Sequence, residues 1–264
     1  MKKNYIRFKI TIVRRLSFIA FSFLMVSCVS QKFTADTRTG QPVPLDTLNL
    51  LSVMIGPVYQ PVIPLIDAAA FNGKTNKIAE DIVKAEQERI EAIKDDFVAT
   101  LRQKLPVVIR TSNDLDSYQI DAYRVEKAVP AEHNNFPLVL FADRDLSFQQ
   151  YGKMKNIRNE FESNYELRQN IAGFAEKFNL SNVAICYNRL AVISVGPFGS
   201  TGALRWETYL FVYDRRGEIV IEAKGFLEPA TISGKILDEY TAEINKYKMM
   251  HNLLSIPLAK QIMP

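Results

Sequence analysis

Histidine, cysteine and tryptophan are scarce in this 264-residue chain, which holds two His, two Cys and one Trp. His133 and His251 stand far apart, and neither has a second His, a Cys or a paired carboxylate at ligand spacing. That scarcity excludes a transition-metal centre built from imidazole and thiolate, so no metal is expected. Two cysteines cannot build a disulfide framework. Cys186 lies inside the apolar run NVAICYNRLAVISV, where a buried, inert thiol is expected. No Ser sits in a G-x-S-x-G turn, and a Ser-His-acid triad would have to recruit one of the two distant histidines. No apolar run reaches the roughly 20 residues that a membrane-spanning helix needs.

The basic excess is confined to the start of the chain. Lys2, Lys3, Arg7, Lys9, Arg14 and Arg15 are six of the 33 Lys and Arg, and residues 1–27 contain none of the 29 Asp and Glu. Without them 27 cations face 29 anions, and the formal charge turns from +4 to −2. A nucleic-acid surface needs clustered cations, so no nucleic-acid partner is expected. The remaining 237 residues can bury a sizeable core, and 47% hydrophobic with 11% aromatic residues fits a packed chain rather than a disordered one.

Behind the cationic start, Leu16 to Cys28 runs LSFIAFSFLMVSC. A cationic head and an apolar run of about a dozen residues have the layout of a secretory signal, an address rather than a fold element. Met25-Val26-Ser27-Cys28 ends in a cysteine after a small residue and resembles the lipobox of bacterial lipoproteins, with Met25 where that family usually carries leucine. The resemblance implies cleavage before Cys28, a diacylglycerol on its sulfur and acylation of its new amino group. It also implies residence in the cell envelope, held to a membrane by the N-terminal lipid. Val29 is not the aspartate associated with inner-membrane retention in enterobacteria, so the outer membrane, facing the periplasm, is expected.

Residues 28–47 carry few large apolar side chains and two prolines, and are expected as a flexible tether. The 18 residues from Val29 to Asp46 would then have an r.m.s. reach of about 23 Å. Residues 48–227 are expected to form one α/β domain, and residues 228–264 a C-terminal helix and tail.

Within that domain Leu48 to Ile55 suits a strand buried on both faces, and Gly56-Pro57 stops it. Ile82, Ile90, Ile93, Phe97, Leu101 and Leu105 recur at helical spacing, so Asn76 to Leu105 is expected as one amphipathic helix capped by Asn76 and ended by Pro106. Pro106 to Arg110 is a second strand, which completes a βαβ unit with parallel strands. Residues 115–135 are left open between a short helix after an Asn113 or Asp114 cap, an edge strand from Tyr118 to Val125 and irregular chain. Pro137 to Ala142 is a further strand candidate, and Met154 to Phe178 a second long helix.

Val183 to Val195, Leu204 to Tyr213 and Glu218 to Lys224 form an antiparallel meander, with a turn at Asp214-Arg215-Arg216-Gly217 and a bulge expected where alternation slips at Asn188-Arg189. The expected fold is thus α/β (α+β): a mixed sheet, a C-terminal meander, two long amphipathic helices and an accessory helix from about Lys235 to Leu254.

Two local features carry chemistry. Asp143-Arg144-Asp145 follows a strand candidate, where open α/β sheets place functional loops, but it lacks the further oxygen ligands of a Mg²⁺ or Ca²⁺ site. The loop GPFGSTG joins two strands, opens no helix and lacks the Gly-Lys-Ser/Thr ending of a phosphate loop. No cofactor is expected. Phe198 at the tip of that loop is a candidate partner contact.

The segments FVATLRQKLPVVIRTSNDL, AEKFNLSNVAICYNRL and LFVYDRRGEIVIEAKG, in that order behind a lipobox, resemble the small α/β domain of envelope lipoproteins related to the curli-export lipoprotein and to activators of peptidoglycan synthases. The resemblance covers residues 48–225. It implies a domain that binds and assembles with envelope proteins or with its own copies, rather than an enzyme. The insert from Leu115 to Asn135 and the helix after Gly225 depart from it. The reading from another class is an envelope hydrolase that uses Asp143 or Asp145 with carboxylates distant in sequence, such as Asp114, Asp116 or Glu126.

Overall fold

A computed structural model describes residues 31–56, 58–59, 69–126, 157–195, 201–227 and 246–264. Its first strand is β1 (Gln31–Thr37), followed by the short β2 (Val43–Pro44) and by β3 (Thr47–Ile55). Two helices follow, α1 (Ala69–Gln87) and α2 (Ile90–Lys104), then β4 (Val108–Thr111) and α3 (Ser117–Glu126). The next helices are α4 (Ile157–Ser163) and α5 (Tyr165–Lys177), and the meander is β5 (Asn182–Val195), β6 (Thr201–Asp214) and β7 (Ile219–Leu227). The chain closes with α6 (Lys246–Ala259) and the short β8 (Ile262–Met263), which runs parallel to β2.

Six strands form one mixed sheet in the order β1-β7-β6-β5-β3-β4. β3 runs parallel to both β4 and β5, and the strands from β5 through β6 and β7 to β1 are antiparallel neighbours. Helices cover both sides. One face packs Leu48, Leu50, Leu190, Trp206, Leu210 and Val212 against α1, α2 and α6; the other packs Val183, Ile185, Tyr187, Phe211 and Tyr213 against α4 and α5. This is the expected α/β class with a mixed sheet, and β3 is buried from Leu48 onward as a strand with helices on both faces must be.

The expected helical stripes point inward. Ile82, Ile93, Phe97 and Leu101 are buried on α1 and α2, and Ile157, Phe161, Leu167, Ile171 and Phe174 on α4 and α5. Each long helix is interrupted, however. The first already runs from Ala69, seven residues ahead of the expected Asn76 cap, and breaks at Glu88-Arg89. The second breaks at Asn164, whose side-chain oxygen accepts the Leu167 N–H at 3.0 Å and so starts α5 as an N-cap. Of the undecided stretch after Leu115, Ser117–Glu126 is helical, with Asp116 accepting the Tyr118 N–H at 2.9 Å at the start of α3, and residues 127–135 lie outside the described residues.

Trp206 is 2% exposed in the main core, and truncation to Ala is expected to cost about 3 kcal/mol in a urea titration. A loss below about 1 kcal/mol would show that the site collapses around the missing ring.

Three expectations are corrected. Gln31 to Thr37 is not tether: it pairs with β7 over seven residues, from Gln31 opposite Leu227 to Thr37 opposite Ile221. What fixes it is a socket on β7. Gly225 lies opposite Phe33, and a Cβ at Gly225 would stand 2.0 Å from the Phe33 ring. With α6 also in the main core, the packed unit extends beyond residues 48–227 at both ends.

The bulge expected at Asn188-Arg189 is absent, since β5 and β6 pair without a break from Asn182 to Val195. Alternation slips there because both polar side chains are buried, one in each face. The shifts lie elsewhere, at Leu50/Ser52 in β3 and opposite Val212/Tyr213 in β7, which turns Ile219 and Ile221 to opposite faces. The Asp214 turn is as expected: its Oδ1 accepts the N–H groups of Arg216 and Glu218 at 2.8 and 2.9 Å, and Gly217 takes the left-handed φ of 75°. The strand candidate Pro137 to Ala142 and the part of the C-terminal helix before Lys246 lie outside the described residues.

Candidate functional site

The sheet face that carries Tyr187 and Phe211 changes character along its strands. Every second residue of a strand shares a face, so β6 presents Phe211, Tyr209, Glu207 and Arg205, and β7 presents Glu222, Lys224 and Phe226. Register then aligns them in rows. Arg189 of β5 lies opposite Glu207, Glu207 opposite Phe226, and Phe226 opposite Lys32 of β1. The next row runs Tyr187, Tyr209, Lys224, Thr34.

Glu207 is the hub of this surface. Arg189 donates from Nε to Glu207 Oε2 at 2.5 Å, with both side chains nearly inaccessible. Arg205 donates from Nε at 2.8 Å and from its terminal nitrogen at 2.6 Å to Oε1, and the Tyr209 hydroxyl donates to Oε2 at 3.0 Å. The Arg189 guanidinium also lies 4.3 Å over the Tyr59 ring and 5.8 Å over the Tyr209 ring. Burial, reinforced by the Glu207 charge, pushes the Tyr209 phenol well above its ordinary pKa, so it stays protonated and donates.

Beside this hub opens a pocket of about 240 Å³ at the β1, β7 and β6 strands, lined by Lys32, Arg205, Lys224, Glu207, Tyr209 and Phe226 among others. Lys224 reaches Glu222 at 3.4 Å, and Glu222 also takes Arg158 at 3.1 Å. Further along the same face Glu218 holds Arg38 and Arg168, which ties the hairpin turn to α5.

The opposite face buries a neutral polar cluster. The Asn188 amide nitrogen donates to the Met54 carbonyl at 3.1 Å, which turns its oxygen toward His251 Nε2 at 3.0 Å. Nε2 therefore carries the proton, and Nδ1 is left without a partner in the core. The ring stacks on Phe97 at 4.1 Å between centroids. Burial pushes the His251 pKa down to about 3. Cys186 sits 3.7 Å from His251 Nε2, and burial pushes its thiol up to about 12 against weaker opposing contacts from Thr208 and Asn188. A Cys and a His in contact are here both neutral, and no nucleophile is activated between them.

Of the sites expected from sequence, Cys28, Phe198, Asp143, Asp145 and His133 lie outside the described residues. Two carboxylates that a hydrolase would have recruited are otherwise engaged. Asp114 accepts the Thr111 N–H at 2.7 Å in a capping box, a backbone bond that pulls its pKa down, and Asp116 caps α3. Among the described residues no group of three or more His, Cys, Asp or Glu is placed to hold a metal ion, and no helix is long and apolar enough to cross a membrane. Arg189 and Glu207 are not singled out as a site by the sequence; the signal for Arg189 is a charge inside the mostly apolar run NVAICYNRLAVISV, whereas Glu207 lies on the more polar face of its strand, beside Arg205.

No family model matches the chain, and no curated protein matches it. Among solved structures it is similar to a PelC dodecamer from Paraburkholderia phytofirmans, at 12% identity over 89% of this chain and 100% of that one, with a TM-score of 0.32. It is also similar to the Evf virulence factor, at 9% identity over 83% of this chain and 90% of that one, with a TM-score of 0.29. Likeness at this level carries no functional argument.

Proposed function

We propose that this chain is a lipid-anchored cell-envelope protein, attached through Cys28 to the periplasmic side of the outer membrane, that acts as a non-enzymatic binding or assembly factor. The observation that carries the reading is the stretch LSFIAFSFLMVSC behind a cationic start. β1 begins at Gln31, three residues after Cys28, and an extended chain of that length spans at most about 11 Å. The domain therefore rides against the membrane rather than on a long leash. Confinement at a surface raises the effective concentration of partners confined there, so weak contacts with envelope proteins or with further copies of this chain suffice.

Replacing Cys28 with Ala tests the anchor. The variant is expected in the soluble envelope fraction after cell lysis, whereas the unchanged chain sediments with membranes. Membrane association that persists in the variant would refute the lipid anchor.

A further inference from the structure

We propose that the pocket between β1, β7 and β6 binds the phosphate of an anionic phospholipid headgroup and so fixes the orientation of the domain on its membrane. This rests on the lipid-anchor reading for the source of the phosphate, but the pocket chemistry stands by itself.

The pocket is lined by three cations, Lys32, Arg205 and Lys224, against one carboxylate, Glu207. That carboxylate is saturated by Arg189, Arg205 and Tyr209, so it offers little repulsion to an incoming anion. The chain from Cys28 onward carries a formal −2, yet this one concavity concentrates positive charge. Arg205 is pre-organised: Glu207 holds one edge of its guanidinium, and its carbon lies 5.5 Å over the Phe226 ring. Lys32 is exposed and has no acidic partner among the described residues, and the Lys224 side chain is 45% exposed. A guanidinium held by Glu207, flanked by the exposed Lys32 and by Lys224, which also reaches Glu222 at 3.4 Å, suits a compact, multiply accepting oxyanion. Phe226 and Tyr209 provide an apolar wall for the glycerol of a lipid.

Position selects the lipid as the source. Lys32 follows Cys28 by four residues, at most about 14 Å of extended chain, and β1 carries it on a rigid strand. An acylated Cys28 would hold the pocket mouth at the level of the headgroup phosphates. There each basic side chain near an anionic surface contributes about 1 kcal/mol, roughly fivefold in affinity.

The test uses the purified full-length product in nonionic detergent, titrated calorimetrically with dihexanoyl phosphatidylglycerol, dihexanoyl phosphatidylcholine, glycerol phosphate and inorganic phosphate. Phosphatidylglycerol is expected to bind more tightly than the other three. The Lys32→Gln, Lys224→Gln double variant is expected to weaken it more than about tenfold with an unchanged melting temperature. Binding should persist in Lys32→Arg, Lys224→Arg and in Arg110→Gln, which alters β4 at the far edge of the sheet. Affinity unchanged in the double Gln variant would overturn the site. Glycerol phosphate or inorganic phosphate binding as tightly as phosphatidylglycerol would overturn the lipid source. The mass of the same preparation reports on Cys28 separately, so an absent anchor is not confused with an empty pocket.

Discussion

Glu207→Ala is expected to destabilise the fold by about 3 to 5 kcal/mol, measured by urea unfolding at neutral pH. The loss does not come from the worth of one ion pair. Arg189 is 2% exposed in the middle of β5, and without Glu207 its guanidinium loses its 2.5 Å partner while remaining buried. The cation then stays desolvated without its carboxylate, and the faces of Tyr59 and Tyr209 recover only part of that cost. The same reasoning makes the double change Arg189→Met, Glu207→Leu milder than Glu207→Ala alone, because no buried cation loses its carboxylate at position 189, although Arg205 and the Tyr209 hydroxyl still lose Glu207 as an acceptor. Additive losses in the double variant would show that the pair contributes through packing and not through charge.

Acid is expected to weaken the protein through His251. Its pKa in the fold is about 3, against about 6.5 in an unfolded chain. Between these values the unfolded state takes up a proton that the folded state does not, so stability is full above about pH 6.5 and falls as pH drops toward 3. The slope is about 1.4 kcal/mol per pH unit, or about 4 to 5 kcal/mol over the whole window. The geometry gives the cause: Nε2–H already serves Asn188, and a second proton would go to Nδ1, which faces no acceptor in the core. His251→Gln keeps a donor for Asn188 and is expected to remove this slope between pH 6.5 and 4.5. An unaltered slope in His251→Gln would assign the acid sensitivity to the carboxylates.

The legible parts of the fold were those set by local pattern. Helical spacing from Ile82 to Leu101 and from Ile157 to Phe174, the buried run of β3, and the Asp214 to Gly217 turn are each visible in a short window of residues. β1 was not visible, because QKFTADT offers only Phe33 and Ala35 as inward apolar residues, and its strand character depends on the Gly225 socket far along the chain. The breaks in the long helices were missed for want of glycine or proline, the usual markers.

Arg189 breaks the alternation of its strand, which in sequence looks like a bulge, and in the fold it is buried opposite Glu207 of the neighbouring strand. His251 likewise acquires its role only when α6 docks against the sheet and brings the ring to Asn188. The pocket was not legible, because its three cations come from three different strands.

The mass of the mature protein purified from membranes, with its N-terminal peptide fragmented, tests the central claim most directly. The expected result is a chain that begins at Cys28, with residues 1–27 removed, and carries a diacylglycerol on its sulfur and an acyl chain on its amino group. A mature chain that begins elsewhere, or at an unmodified Cys28, would contradict it.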